Sequence, residues 1–425
     1  MRKIRLGIIV LLLVLVWVFS GLVAEAKPKT VTIKFWHLWT TPTEANKIAV
    51  DKVLAKFKKA YPRIKIDVDA VENETYKTKI KTAIAANEAP DVFFTWGGGF
   101  NKPFVDAGKL LNLTPYLTGI QNRLVGGALT YHTYNRKVYA LPFSLWAGIL
   151  YCNQELFAEA GVKIPETFRE LLAAVKVFRS KGITSMEVGE KDRWPGMFYQ
   201  NILAIRTAGT KLCNDALAKK ASFNQAAFVK SAALLVQLVK AGAFEKGCLG
   251  ITRDESEANF RLGKAAMYYN GSWVAGSLNQ QQAPDVFGKI VAKNFPAVTG
   301  SGGEPNGFLG GAVDAFAVNA GTKHPKEAVI FAKFLAEQQA RIGYQLGALL
   351  PAWKCRVDES KLPELTVQLS RLIKNSTGFV LAWDTFLEGA DADIHKNLVQ
   401  ELYAGVITPQ KFATEMQRLN AEKIR

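Results

Sequence analysis

Val31-Thr32-Ile33-Lys34-Phe35-Trp36-His37, Ile64-Lys65-Ile66-Asp67-Val68 and Asp91-Val92-Phe93-Phe94 are the runs that decide the fold. In the first two, every second residue is apolar, which is the period of a half-buried strand; the third is a short continuous apolar strand. Between them, Thr41-Pro42-Thr43-Glu44 reads as a capping box with Pro at the first helical position. Val50, Val53, Leu54, Phe57 and Tyr61 follow at helical spacing, and Pro62 stops that helix. A second helix is predicted from Tyr76 to Ala86. Strand, helix, strand, helix, strand is the pattern of a parallel sheet covered by helices, so the fold class is α/β.

The pattern resumes further along. Ala140-Leu141-Pro142-Phe143 and Ile149-Leu150-Tyr151-Cys152 read as strands. Thr167 with Glu170 forms a capping box, ahead of a helix whose apolar face carries Phe168, Leu171, Leu172, Val175 and Phe178. Further strands are expected at Ala265–Tyr269 and Ala312–Val318, and another helix from Pro325. The Gly- and Pro-rich stretch Thr299–Gly311 reads as a long loop or crossover. There is no repeat at a fixed period.

The first 26 residues have a different character. Arg2, Lys3 and Arg5 precede an apolar run from Ile8 to Phe19, and Ala24-Glu25-Ala26 follows, the pattern of a secretory signal cleaved after Ala26. The apolar run is short for a membrane span, which needs roughly 20 residues. Export to the periplasm is the expectation. The rest of the chain is long enough for two domains.

The formal charge of +17 permits a nucleic acid, an anionic surface or an acidic ligand. Its lysines are spread along helical patterns, as at Lys52, Lys56, Lys58 and Lys59, without a nucleic-acid-binding signature, so solvated helix faces explain most of it. The cysteines (152, 213, 248, 355) have no CxxC spacing; Cys213 with Cys248 is the pair to test, against free thiols. The four histidines match no metal spacing, and neither a metal nor a cofactor is expected. No GxSxG, Walker A or GxGxxG motif is present.

Tryptophan placement is the strongest functional signal. Trp36 and Trp39 fall where the first strand ends, Trp96 just after the third, and Trp273 after the run Ala265–Asn270. In open α/β sheets, ligands bind beyond the carboxyl ends of strands. An indole covers the C–H face of a sugar ring while Asn, Asp and Glu bond its hydroxyls, and each ring brings about 150–250 Å² of buriable surface. Any single tryptophan is as suited to a core, but Gly or polar neighbours following a strand favour these four for ligand. His37 either donates to a hydroxyl or is satisfied by backbone; Asp91 either reaches ligand or caps a turn. Glu72 and Asp384 are acceptor candidates, and Trp146, Trp194, Gly311 and Trp383 complete the expected ligand-binding set. No strand end carries an Arg, which counts against an anion site.

Several blocks, taken in order, resemble the family 1 extracellular solute-binding proteins, which include the maltose- and oligosaccharide-binding components of ATP-binding-cassette importers. They are Thr32–His37, Ala85–Val92 (with Asn87 where Gly is usual), Asn153–Gly161 with Pro165–Phe168 (Phe168 replacing Trp), Phe260–Met267 with Gly271-Ser272-Trp273, and His324–Ala328 with Phe331–Leu335. The resemblance implies a two-lobed periplasmic-binding-protein fold, each lobe a mainly parallel sheet, with the ligand clamped between lobes that close about a hinge. It implies lobe one at 27–141 and 314–352, and lobe two at 142–313 and 353–425. Trp273, and more loosely Trp36, His37, Trp146 and Trp383, fall at cleft positions by that likeness. The implied molecule is a non-enzymatic monomer that hands a mono- or oligosaccharide to membrane permease subunits and binds no nucleic acid. A binder of phosphorylated solutes such as glycerol phosphate, and a secreted polysaccharide-cleaving enzyme, are the alternatives.

Overall fold

A computed structural model of the protein describes residues 30–421. The segment expected to direct export, residues 1–26, lies outside them.

The opening runs fold as their patterns require. β1 (Val31–His37) and β2 (Ile64–Ala70) pair in parallel, Ile33 opposite Ile66 and Phe35 opposite Val68, and β3 (Val92–Trp96) pairs with β1 on its other edge. Helix α1 (Ala45–Ala60) links β1 to β2, and α2 (Asn73–Ala85) links β2 to β3. α1 buries Ala49, Val50, Val53 and Phe57 and leaves Lys52, Lys56, Lys58 and Lys59 in solvent, an amphipathic helix whose charge is a solvated face. One expectation fails: Thr41 does not cap α1. The Thr41 carbonyl closes a turn with the Glu44 amide, and the helix starts after Glu44, whose side chain makes no cap.

After a short hairpin, β4 (Thr133–Tyr134) and β5 (Lys137–Val138), β6 (Ala140–Pro142) leads into β7 (Ser144–Asn153). β7 is the spine of the second sheet and is buried on both faces: Leu150 and Cys152 pack into one core, Ile149 and Tyr151 into another. That explains its nearly unbroken apolar sequence. Helix α3 (Phe168–Ser180) has the predicted capping box, with the Glu170 amide donating to Thr167 Oγ1 and the Thr167 amide to the Glu170 carboxylate. β8 (Thr184–Glu187), α4 (Trp194–Leu217), α5 (Ala226–Ala241), α6 (Arg253–Arg261), β9 (Ala265–Gly271), β10 (Ile290–Lys293) and β11 (Gly307–Gly311) follow. β12 (Asp314–Val318) then returns to the first sheet, and α7 (Pro325–Gln345) packs beside α1. β13 (Leu350–Pro351), β14 (Gly378–Val380), α8 (Trp383–Phe386) and α9 (Ala390–Ala404) rejoin the second half.

The first sheet has the order β2-β1-β3-β12-β6, the second β14-β11-β7-β9-β8. Both are mixed rather than mainly parallel. β12 enters the first sheet from the other half of the molecule, so it runs antiparallel to β3 and β6; β7 pairs antiparallel with β9, β10, β11 and β13. The expected loop Thr299–Gly311 also differs, because its last five residues form β11. A Cβ at Gly310 (φ 132°) would collide with the Trp146 carbonyl, so the glycine is what allows β11 to close on β7. The four cysteines are free thiols, Cys152 and Cys213 buried in the core, so the candidate pair Cys213 and Cys248 does not form a disulfide.

Glu190 lies fully buried just before α4, and a Cβ at Gly196 would overlap its carboxyl. Burial pushes the Glu190 carboxyl well above the usual carboxylate range. The folded state therefore holds a proton there that the unfolded chain releases, and stability falls as pH rises from the ordinary carboxylate pKa towards the raised one, by up to about 1.4 kcal/mol per pH unit. Glu190→Gln is expected to flatten that slope in urea titrations from pH 5 to 8, with the variant gaining on the native protein as pH rises.

Candidate ligand-binding cleft

Two large hydrophobic cores flank the site. One forms around the first sheet with Phe35, Phe94, Phe143 and Phe316; the other packs against the second sheet with Phe178, Tyr199, Leu203 and Trp383. The chain passes between the sheets at Phe143 and at Ala312-Val313. Between the two cores lies a cleft holding about 1150 Å³, part of it open to solvent.

Aromatic walls come from both sides. Trp39 and Trp96 follow β1 and end β3, and both make edge contacts to Phe94, at 5.4 and 4.7 Å. Opposite them, Trp146 on β7 stacks on Phe198 of α4 at 5.2 Å, with Trp194 and Trp273 in edge or tilted contact. Trp194 and Phe198 share a helix face because they are four residues apart. Trp39, Trp146 and Trp194 are nearly buried, whereas Trp96 and Trp273 are half-buried and keep ring surface exposed to the cleft. Trp273 folds back over Gly271, where any Cβ would overlap its six-membered ring. Gly271→Val is therefore expected to displace the indole, seen as a changed Trp emission spectrum and, if the cleft binds sugar, a loss of affinity of about tenfold by titration calorimetry.

The polar complement sits among these rings. Asp314 opens β12 and, because β12 is antiparallel to β3, comes opposite Trp96 at the same sheet edge. It accepts the Ser144 hydroxyl at 2.9 Å, and burial raises its pKa to about 7. Glu44 is also raised to about 7 by burial, with Arg253 opposing. Both carboxyls therefore change from donor to acceptor near neutral pH. Arg253 is held charged by Glu257 at 3.0 Å and by Asp254, against the cost of its burial.

At the other end, Asn73, Lys77 and Lys81 line the cleft from one face of α2, four residues apart. Burial works against the Lys77 charge, but Glu74 at 2.7 Å and Asp384 at 3.8 Å hold its pKa above the ordinary value. Lys396 pairs with Asp393 at 3.1 Å and Glu74 at 3.8 Å. These pairs tie α2 of the first half to α8 and α9 of the second.

Among the sequence candidates, Trp39, Trp96, Trp146, Trp194, Trp273 and Asp384 line the cleft. The others lie elsewhere. Trp36 faces away from His37, under the Lys79 ammonium at 4.3 Å. His37 is buried, its Nδ1 accepting the Trp39 amide at 3.2 Å, so it props the loop that carries Trp39; burial lowers its pKa to about 4. Glu72 caps α2. Asp91 precedes β3, at the sheet end remote from the cleft, and accepts the Lys34 amide at 2.8 Å and the Thr322 hydroxyl. Gly311 ends β11 opposite Trp146 at φ 146°, where a Cβ would meet Leu381 and Tyr131. Trp383 is fully buried, stacked on His395 at 5.0 Å.

Asn73, which follows the second strand in sequence as a rim candidate, also lines the cleft; sequence reading missed Glu44, Lys77, Lys81, Ser144, Phe198, Arg253, Asp314, Asp393 and Lys396. The four-residue spacing of Asn73, Lys77 and Lys81 was a usable signal. No strand end supplies a cation to the cleft; Lys77, Lys81, Arg253 and Lys396 reach it from helices.

Comparison with known proteins agrees with this architecture. The profile of the family described as bacterial extracellular solute-binding protein matches residues 40–342. The multiple sugar-binding protein of Streptococcus mutans is 26% identical over 76% of this chain and 74% of its own. A structure from work on xylan utilization by the thermophilic bacterium Caldanaerobius polysaccharolyticus is 45% identical, with a TM-score of 0.89, covering 93% of this chain and 100% of that one. A chitin oligosaccharide binding protein shares the fold at 24% identity and a TM-score of 0.84, over 92% of this chain and 98% of its own. Among the described residues, no helix is long and apolar enough to cross a membrane.

Proposed function

The chain belongs to the bacterial extracellular solute-binding proteins, and from that premise we propose that it captures an oligosaccharide derived from xylan and delivers it to the permease of an ATP-binding-cassette importer. The observation that carries this reading is the cleft itself: five tryptophans from both halves of the molecule surround Asp314, Glu44, Asn73 and Ser144. Flat rings take the C–H faces of pyranoses, and the polar side chains take the hydroxyls. The 45% identity to the protein studied for xylan utilization supports the substrate class.

In this proposal Trp39, Trp96, Trp146, Trp194 and Trp273 form the stacking surfaces, and Asp314 and Asp384 accept sugar hydroxyls. The lobes are 27–141 with 314–353 and 142–313 with 354–425, the last boundary set after Trp353 because that indole packs in the first core. They close on the ligand about the crossovers near Phe143 and Ala312-Val313. The mature protein starts after Ala26, works in the periplasm as a monomer, and turns nothing over.

A thermal-shift screen tests the reading. Xylotriose and xylotetraose raise the melting temperature, since a ligand at a hundredfold excess over Kd stabilises the folded state by about 2.7 kcal/mol. Tryptophan fluorescence changes with the same midpoint. No shift with any xylo-oligosaccharide overturns the xylan assignment, a shift with glycerol phosphate alone overturns the sugar reading, and shorter sugars after incubation overturn the claim of no turnover.

A further inference from the structure

The α2 end of the cleft holds more positive charge than its own carboxylates answer. Glu74, Asp384 and Asp393 are each engaged: Lys77 lies 2.7 Å from Glu74 and 3.8 Å from Asp384, and Lys396 lies 3.1 Å from Asp393 and 3.8 Å from Glu74. Arg193 adds a contact to Asp393 at 3.6 Å. Lys81 lines the same end and enters none of these pairs; its Nζ lies over the Phe100 ring, 5.3 Å from the centroid. Among the described residues it has no carboxylate within 4 Å, so of the charged side chains lining this end three lysines, 77, 81 and 396, face two aspartates, 384 and 393.

From this arrangement we infer that the cleft takes an oligosaccharide carrying a carboxylate, a uronosyl-substituted sugar, with the uronate on Lys81 at the α2 end and the neutral rings on the tryptophans. The inference rests on the oligosaccharide reading of the cleft and specifies which sugars it prefers. Three further observations agree with it. Burial lowers the Lys81 pKa; Asp393 and Glu74 oppose the shift, while Lys396 and Lys77 add to it. The protein's net charge of +17 draws anions towards the molecule. The Phe100 ring beneath the ammonium is an apolar support that offers it no hydrogen-bond acceptor. A charge-assisted hydrogen bond in a partly buried cleft is stronger than the neutral bonds to hydroxyls.

Calorimetric titration with xylotriose and with xylotriose bearing a glucuronosyl substituent tests this. In 20 mM salt the acidic sugar is expected to bind about tenfold tighter, a ratio that shrinks in 0.5 M NaCl because salt screens the contact. Lys81→Gln brings the ratio close to one, and Lys81→Arg keeps it; circular dichroism melts check that both variants fold. If xylotriose binds the native protein and the acidic sugar binds no better, the inference is overturned while the oligosaccharide reading stands. A preference that persists in Lys81→Gln overturns the assignment to Lys81. If neither sugar binds, the oligosaccharide reading falls, and this inference with it.

Discussion

Trp273→Ala is expected to weaken xylo-oligosaccharide binding about 100-fold, or about 2.7 kcal/mol, in calorimetric titration. Trp273 is half-buried, presents its ring to the cleft, and meets Trp146 at 5.2 Å and Trp194 at 6.1 Å. Truncation removes one stacking surface and loosens two others. Trp383→Ala, at a site that looks equally favourable in sequence, is expected to act on the fold instead. Trp383 is fully buried between His395 and Phe223, so its loss leaves a cavity that costs about 3–5 kcal/mol in urea denaturation. If Trp273→Ala binds as tightly as the native protein, the stacking wall is not where the sugar sits. If Trp383→Ala loses affinity with full stability, that indole belongs to the site after all.

Arg206→Met is expected to lower stability by about 3–5 kcal/mol, read from the urea midpoint. Arg206 is only 1% exposed and donates to the carbonyls of Phe295 at 3.0 Å, Glu304 at 2.7 Å and Gly307 at 2.8 Å. Burial lowers its pKa to about 10, so it is charged at neutral pH, and the three carbonyls compensate that charge. Methionine fills much of the volume but removes this donor from three carbonyls, where each lost bond costs about 1–3 kcal/mol before relaxation, although the Glu304 carbonyl keeps the Gly307 amide at 3.2 Å. Arg206→Lys restores some of these bonds and is expected to fall between the two. The effect reaches the cleft, because Arg206 holds the start of β11 and the end of β11 pairs with Trp146. Arg206→Met should therefore also weaken sugar binding, by a smaller factor than Trp273→Ala. An unchanged urea midpoint would show that the loop from 295 to 307 is held by something else.

Much of this protein is legible in its sequence. The alternation at Val31–Phe35 and Ile64–Val68, and the helical spacing from Val50 to Phe57, determine the first β-α-β unit because period-2 and period-3.6 burial are local properties of the chain. The Thr167–Glu170 capping box is equally local. The tryptophans after β1, at the end of β3 and after β9 reach the cleft because strand ends in such sheets converge on one rim.

What tertiary structure decided was set by contacts far apart in the chain. Thr41 lost its capping role to a turn, and Glu44 was turned into the cleft towards Arg253, 209 residues later. Asp314 reaches the rim only because β12 crosses back antiparallel to β3. Trp383 and Asp384 are adjacent, yet one packs beneath α9 and the other lines the cleft. Strand and helix periods specify which side of an element is apolar. Which partner that side meets, and whether an indole there faces another core residue or open space, depends on how the two halves pack together.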